Sequence, residues 1–184
     1  AVDRTSKLAF ARLYDAANRK TASHFLEALI AAIPYKIHTV LTDNGVQFCY
    51  QPSQRSGPTA QYMTHMFDMR CRENGIEHRL TKPNHPWTNG QVERMNRTIK
   101  EATVRRYHYE TSDQLETHLA SFLDAYNFAK RLKTLKGLTP YEHVCGVWTK
   151  EPDRFNLDPT HLTAGLNTYA STVLVENKPG ASAR

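Results

Sequence analysis

A turn-rich segment that leads directly into a helical pattern constrains this chain more than any other feature. Residues 85–90 are rich in turn formers, and the periodic segment after them carries an acid, Glu93, in its first turn. Upstream, an apolar run typical of a buried strand stops at Asp43, directly before the turn pair Asn44-Gly45. An acid at a strand end can face an acid on a neighbouring helix. Two such carboxylates can hold divalent metal ions against a phosphodiester, because hard cations prefer oxygen ligands.

The helix that carries Glu93 also places polar and basic side chains beside it. Asn96, Arg97 and Lys100 follow Glu93 by three, four and seven residues and therefore share its face. An amide and two cations next to a metal-binding acid are suited to pairing with phosphate oxygens. The alternative is a solvated helix face, the more frequent interpretation of charged residues on an isolated helix. The preceding turn and the acid at the strand end favour the functional interpretation.

The hydrophobic pattern along the chain alternates between strand and helix. Alternation at residues 8–14 predicts a half-buried strand, and helical spacing of apolar residues predicts a helix over 21–33 that Pro34 ends. This order of elements is typical of an α/β layer arrangement. The later segments predict a strand at 37–41, a polar loop at 49–60, a helix at 62–73, a strand at 76–80, and helices at 91–107 and 112–129.

Three segments together resemble the integrase core of the DDE transposases, the group that includes retroviral integrases and many bacterial insertion-sequence transposases. The resemblance extends over residues 3–168. The three segments are Thr42-Asp43-Asn44-Gly45-Val46-Gln47-Phe48, which is similar to the family's second acidic motif, residues 85–98, similar to its glutamate motif, and Leu138-Thr139-Pro140-Tyr141-Glu142, similar to its usual close.

The resemblance implies a ribonuclease-H-like mixed sheet with strand order 3-2-1-4-5. Since the chain begins at what looks like the end of strand 2, we expect a partial α/β integrase core that lacks strand 1 and most of strand 2, followed by C-terminal helices. Strand 3, at residues 8–14, would then not adjoin strand 4, at residues 37–41, which leaves unpaired edges and a damaged or rearranged sheet. The expected divisions are an N-terminally incomplete catalytic core over 1–130, a helical extension over 131–168 and a flexible tail over 169–184.

The same resemblance matches Asp43 and Glu93 to the second and third members of the catalytic, metal-binding Asp, Asp, Glu set. The first aspartate is expected to be missing. Asp3 lies where the family has a turn, and a turn aspartate bonded to its own backbone is the favoured interpretation. The residues expected to contact DNA are Asn44, Gln47, His85, Thr88, Asn89, Gly90, Asn96, Arg97 and Lys100.

Several of these residues have structural alternatives that the sequence leaves open. Asn44-Gly45 is also an ordinary turn pair, and Gly90 is equally compatible with a turn alone. Trp87 can stack on a base or pack in the core, and packing is favoured. Met63, Met66 and Met69, spaced by three, predict a core stripe.

Composition agrees with a single basic domain. The net charge of +6, from 24 Lys and Arg against 18 Asp and Glu, favours a polyanionic partner, although a pI near 9.3 is common in other proteins too. Three cysteines form no disulfide framework, which suits a reducing cytoplasm, and the Cys and His spacing does not match a structural zinc site. No apolar run reaches the ~18 residues of a membrane span, and no signal peptide is recognised at the amino terminus.

The chemistry that the resemblance implies is in-line attack on DNA phosphodiesters, namely cleavage that leaves a 3′ hydroxyl and transfer of that hydroxyl to target DNA. The implied cofactor is Mg²⁺ or Mn²⁺ at a two-metal site, expected only in the complete protein, so this chain alone is expected to be inactive. Expected partners are element-end and target DNA and further copies of the complete protein, with no membrane, in the bacterial cytoplasm at the nucleoid. Two alternatives stay open: a noncatalytic DNA-binding or interaction remnant of a transposase, and a ribonuclease-H-like nuclease without strand transfer.

Overall fold

The computed structural model of the chain describes residues 1–51, 54, 63–82 and 89–161, in which helices pack around a small sheet. A π-helical turn, Ala125–Ala129, extends α4, and 3₁₀ turns lie at Lys133–Leu135, Pro152–Arg154 and Pro159–His161. The main elements are α1 (Arg19–Ala32), β1 (Thr39–Thr42), α2 (Met66–Glu73), β2 (Glu77–Leu80), α3 (Gly90–Ala102), α4 (Ser112–Asp124) and α5 (Pro140–Trp148).

The sheet of the described residues consists of β1 and β2, which run parallel with Val40 opposite His78 and Thr42 opposite Leu80. Parallel strands need a crossover connection, and α2 lies on that connection. Leu26 of α1 and the α2 residues Phe67 and Cys71 form one buried cluster against this sheet. The cluster buries apolar surface from two helices and so fixes the helices on one face of the strands.

The segment predicted as a strand at 8–14 forms no ladder in the described structure. Ala9 makes an isolated antiparallel bridge with Val2, and the Phe10 N–H donates to the Ala1 carbonyl at 3.0 Å. A strand persists only where a neighbour accepts its backbone hydrogen bonds, and no described strand pairs with residues 11–14. The strand prediction is therefore wrong in extent, although Leu8, Ala9 and Phe10 are buried as a core segment.

A cavity of about 950 Å³ lies between this N-terminal segment and the sheet. Leu8 and Phe10 line it from the N-terminal segment, and Val40 and Leu41 line it from β1. The two segments are not paired with each other in the described part of the chain. The predicted partial sheet, in which the segment at 8–14 does not adjoin β1, is confirmed for the described residues.

Two helix ends differ from the sequence prediction because single side chains set them. α2 begins at Met66 rather than 62, since buried His65 caps it by accepting the Phe67 N–H at its Nδ1. α3 ends at Ala102 rather than 107, because Thr103 leaves the helical conformation (φ −117°, ψ −103°) and is itself buried. The Thr103 hydroxyl donates to the Ile99 carbonyl at 2.7 Å and satisfies one carbonyl of the last turn.

The other helices lie close to the predicted bounds. α1 starts after the capping residue Asn18 and ends at Ala32, with Ile33 as its C-cap residue directly before Pro34. The predicted core stripe of Met63, Met66 and Met69 is wrong, since each of these methionines is at least 41% exposed. Phe67 and Cys71, one helical turn apart, form the buried face of α2 instead. Among the described helices, none has the length and apolar content needed to cross a bilayer.

Candidate functional site

Asp43 is exposed in the turn that directly follows β1. Its Oδ1 accepts the Gly45 N–H at 2.9 Å, and its carbonyl accepts the Thr42 hydroxyl at 3.0 Å. No ion pair joins the Asp43 carboxylate to any Lys or Arg of the described residues. The carboxylate therefore has oxygen lone pairs facing solvent, which is what a hard cation requires.

The neighbours of Asp43 hold the two strand ends together. The Asn44 side-chain amide donates to the Thr81 carbonyl at 2.8 Å, and the Thr81 N–H donates to the Thr42 carbonyl at 2.9 Å. The half-buried Gln47 side chain lies against Gly45, so closely that a Cβ on Gly45 would be 2.4 Å from Gln47 Nε2. Asn44 thus has a structural role, and contact of Asn44 or Gln47 with DNA stays a prediction.

Glu93 is exposed in the first turn of α3, as the sequence pattern predicted. Asn96, Arg97 and Lys100 are also exposed, while Met95 is buried against the core. Neither cation nor the Glu93 carboxylate enters an ion pair within the described ranges. The helix therefore presents one acid and two cations to solvent on a common face, without ion-pair partners in the described part of the chain.

Asn89 and Gly90 form the start of α3. Asn89 is the N-cap residue but makes no side-chain capping bond, and its carbonyl accepts the Glu93 N–H at 3.2 Å. Gly90 has ordinary backbone angles, and a Cβ built on it meets no atom within 4 Å. No strained turn requires glycine at this position. His85, Thr88 and Trp87, also singled out in the sequence, lie outside the described residues.

The sheet and α3 place the two acids on elements that line one cavity. Leu41, directly before the Thr42–Asp43 pair, lines the cavity from β1, and Val92, directly before Glu93, lines it from α3. Across the part of the chain that the structure describes, no three Asp, Glu, His or Cys side chains are grouped as they would be for a metal ion. Asp43 and Glu93 fit a hard divalent cation by ligand type, but they are two ligands and not a complete set.

Comparison with known proteins shows what the fold and the central part of the chain are similar to. Residues 74–140 match the integrase core domain family. This part of the chain is therefore similar to an integrase core. Its fold is also similar to the crystal structure of the catalytic core domain of BIV integrase, with a TM-score of 0.60 and 22% identity over 82% of this chain and 86% of that chain. A search of curated proteins found no match.

The family match and the sequence motifs overlap in part. The matched range of the integrase core contains Glu93, Arg97 and Lys100 and extends to Pro140, in the segment that resembles the family's close. Asp43 lies before that range, so its assignment depends on the sequence motif and on its position after β1. The resemblance to an integrase core and the partial α/β fold predicted from it are both confirmed.

Asp3 is a turn residue, as predicted. Its Oδ1 accepts the Thr5 N–H at 3.0 Å, and its Oδ2 accepts the Ser6 N–H and the Tyr35 hydroxyl, both at 3.1 Å. Burial alone would raise the pKa of Asp3, but the hydrogen bonds from Ser6, Thr5 and Tyr35 outweigh burial and lower it. Both carboxylate oxygens are engaged by the turn and by Tyr35, which disfavours metal coordination here.

Sequence reasoning missed a chain of polar groups directly behind Asp43. His78 Nδ1 is 2.5 Å from Asp68 Oδ1, and His78 Nε2 is 2.8 Å from the Thr42 hydroxyl. The sequence signal was weak, because a histidine within a short polar strand does not indicate by itself that its side chain is buried, as that of His78 is. Its partners lie 10 and 36 residues away, beyond any local pattern.

Proposed function

We propose that this integrase core belongs to a DDE-type transposase and acts in DNA transposition, with Asp43 and Glu93 as two of its metal-binding carboxylates. The observation that supports the proposal is that both acids are exposed and lack cationic partners in the described structure. Acids that serve only folding are commonly paired or hydrogen-bonded, as Asp3 is here. Asp43 accepts the Gly45 N–H at Oδ1 but enters no ion pair within the described residues, so its carboxylate keeps lone pairs for a cation.

In the proposed reaction, DNA is cleaved to leave a 3′ hydroxyl, which then attacks a target phosphodiester. Mg²⁺ or Mn²⁺, when bound, would supply Lewis-acid activation of the attacking oxygen and stabilisation of the leaving oxygen. Arg97 and Lys100 would bind phosphates that flank the scissile bond, with Asn96 as a hydrogen-bond donor beside them. The turn residues proposed to contact DNA nearby are Asn44, Gln47, His85, Thr88, Asn89 and Gly90.

We also propose that this chain is inactive alone and that activity requires a third carboxylate. Asp3 is engaged in its turn, and the described residues contain no group of three Asp, Glu, His or Cys side chains placed to hold a metal ion. Further proposals are homo-oligomerisation of the complete protein, association with the bacterial nucleoid, and the division into a core over 1–130, a helical extension over 131–168 and a flexible tail over 169–184.

The first experiment measures Mn²⁺ binding to the purified chain by electron paramagnetic resonance. Asp43→Asn and Glu93→Gln should each weaken Mn²⁺ binding, because each removes a charged oxygen ligand and little volume. Exposed acids elsewhere give matched controls, Asp15→Asn and Glu116→Gln, which should bind Mn²⁺ as the wild type does. Equal effects of the site and control variants would mean nonspecific attraction of cations and would contradict the assignment.

A second candidate function is noncatalytic DNA binding, favoured by the exposed Arg97 and Lys100 beside an incomplete set of acids. This function predicts salt-sensitive DNA binding with no response of Mn²⁺ affinity to Asp43→Asn or Glu93→Gln.

A ribonuclease-H-like nuclease is the remaining alternative. In a chain with the full set of acids, joining of a pre-cut 3′ hydroxyl end to a second duplex separates a transposase from such a nuclease.

A further inference from the structure

Three side chains behind Asp43 form a continuous hydrogen-bonded relay from the surface of α2 to the end of β1. Asp68, in the first turn of α2, lies 2.5 Å from Nδ1 of His78, and Nε2 of His78 lies 2.8 Å from Oγ1 of Thr42. The Thr42 hydroxyl in turn donates to the carbonyl of Asp43 at 3.0 Å. The relay therefore ends on the peptide group of a proposed metal ligand.

Burial restricts the hydrogen-bond partners that are open to the side chains of the relay. The His78 side chain is 4% exposed and packs edge-on against the Phe67 ring at 4.9 Å, while Thr42 is 8% exposed. A carboxylate can only accept, so Asp68 fixes the proton of His78 on Nδ1, and the single proton of the Thr42 hydroxyl is shared between Nε2 of His78 and the Asp43 carbonyl. Because the ring is buried away from bulk water, His78 is the side chain that holds the Thr42 hydroxyl in place.

The sheet register explains why these residues meet. His78 lies opposite Val40, so its side chain is on the same face of the sheet as those of Val40 and Thr42, which are two residues apart on β1. On the other side of Asp43, the Asn44 amide is bonded to the Thr81 carbonyl. Asp43 is thus held between two residues that are each anchored to β2 or its end. A turn anchored on both sides has few ways to reorient its carboxylate.

We infer that the Asp68–His78–Thr42 relay is a positioning device for Asp43, orienting this carboxylate for a divalent cation. The inference rests on the proposed function of Asp43 as a metal ligand. A histidine ring is costly to bury unless a partner such as Asp68 satisfies its hydrogen bonds. A stable end of β1 does not require this pair, because an apolar side chain at position 78 would also pack against Phe67 and Val40. What the relay adds is a fixed hydrogen bond to the residue beside Asp43, as polar groups behind metal ligands do elsewhere.

The experiment compares Mn²⁺ affinity, by electron paramagnetic resonance, in variants that change one hydrogen bond at constant shape. Thr42→Val removes the hydroxyl and should weaken Mn²⁺ binding by about tenfold, in the range seen for residues behind metal ligands. Thr42→Ser restores the hydroxyl and should restore affinity to within about twofold of the wild type, because the relay is again complete. Thr39→Val, on the same strand, removes a hydroxyl bonded to exposed Glu77 and should leave Mn²⁺ affinity unchanged.

A double-mutant cycle separates positioning of Asp43 from general damage. In the Asp43→Asn background, Thr42→Val should cause no further loss of Mn²⁺ affinity, since the ligand that it positions is gone. Thermal unfolding of each variant is measured alongside. If Thr42→Val is unfolded, Asp68→Asn takes its place, because Asp68 lies at the α2 surface with 35% of its side chain exposed. Wild-type affinity in a folded Asp68→Asn would then overturn the inference.

The outcomes distinguish this inference from the proposed function. If Asp43→Asn weakens Mn²⁺ binding and Thr42→Val does not, the relay is only structural and the inference fails while the proposed function stands. If Asp43→Asn itself has no effect, both fail, since there is no ligand to position. Equal losses from Thr42→Val in the presence and absence of the Asp43 carboxylate would also overturn the positioning role.

Discussion

The side chain of Asn127 holds the backbone of Ala9 with both ends of its amide. The Ala9 N–H donates to Asn127 Oδ1 at 2.9 Å, and Asn127 Nδ2 donates to the Ala9 carbonyl at 2.8 Å. Asn127 is fully buried and lies in the π-helical turn that follows α4. At Ala9, this amide supplies the pair of hydrogen bonds that a neighbouring strand would otherwise supply. It also joins the N-terminal segment to the helical half of the fold.

Replacement of Asn127 should therefore be strongly destabilising. Asn127→Ala leaves a buried N–H and a buried carbonyl unpaired, and each such group costs about 1–3 kcal/mol, so we expect a loss of roughly 2–4 kcal/mol. The measurement is the free energy of unfolding from urea denaturation. The exposed Asn156 gives a matched control, and Asn156→Ala should stay within about 0.5 kcal/mol of the wild type. Similar losses for both variants would contradict the structural role of Asn127.

Asp3 should link the stability of the fold to acid pH. Burial favours the protonated form of its carboxyl, but the hydrogen bonds from Ser6, Thr5 and Tyr35 outweigh burial, so its pKa is lower in the folded state than in the unfolded state. The unfolded chain consequently binds the proton first as pH falls. The stabilisation is present above the unfolded pKa, near 4, and is lost as pH falls through the folded pKa.

The Asp3→Asn variant tests this dependence because its amide cannot carry the charge. Its free energy of unfolding should decline less steeply than that of the wild type as pH is lowered below about 4. Urea denaturation at a series of pH values measures the slope. Asp15→Asn, at an exposed position, should keep the steeper slope of the wild type. A wild-type slope in Asp3→Asn would show that other carboxyl groups account for the acid sensitivity.

Local signals in the sequence were sufficient for much of the fold. α1 has apolar residues at helical spacing, a capping asparagine at position 18 and a proline after its end, and all three act within a few residues. α5 has a comparable signal, because Thr139 and Glu142 form a capping box around a proline in the first turn. Part of the segment that resembles the family's C-terminal motif is thus the start of a helix. Glu93 and its face were predictable for the same reason.

Contacts between distant segments were not predictable from local patterns. The strand prediction at 8–14 failed because alternation indicates a buried face but not whether a neighbouring strand is present. The bond between Asn127 and Ala9 spans 118 residues, and its only local sign is an asparagine next to the buried stripe of Leu119, Leu123 and Tyr126. The relay through His78 likewise depends on the register of β1 and β2, which no single segment specifies.

Gly90 permits a test that separates folding from DNA contact. Its backbone angles are ordinary and a Cβ has open space, so Gly90→Ala should stabilise the fold by about 0.5–1 kcal/mol through a less flexible unfolded chain. Gly75 is the matched control, because its φ of +66° disfavours a side chain and Gly75→Ala should be destabilising. Urea denaturation measures both. Weaker DNA binding by a stabilised Gly90→Ala would support a close approach of DNA to the start of α3, and unchanged binding would contradict it.

The exposed cations of α3 should determine how DNA binding depends on salt. Each phosphate contact releases condensed counterions, so removal of one contact reduces the slope of log affinity against log salt concentration by about 1. We expect this reduction for Arg97→Ala and for Lys100→Ala, with similar losses for unrelated DNA sequences, because phosphate contacts do not read bases.

Fluorescence anisotropy of a labelled duplex across a range of salt concentrations gives this slope. Lys150→Ala removes an exposed lysine just after α5 and should leave the slope unchanged. A loss of affinity restricted to one DNA sequence would instead indicate base contacts by α3. Unchanged slopes for Arg97→Ala and Lys100→Ala would place the DNA-binding surface on another element and remove the cationic part of the proposed site.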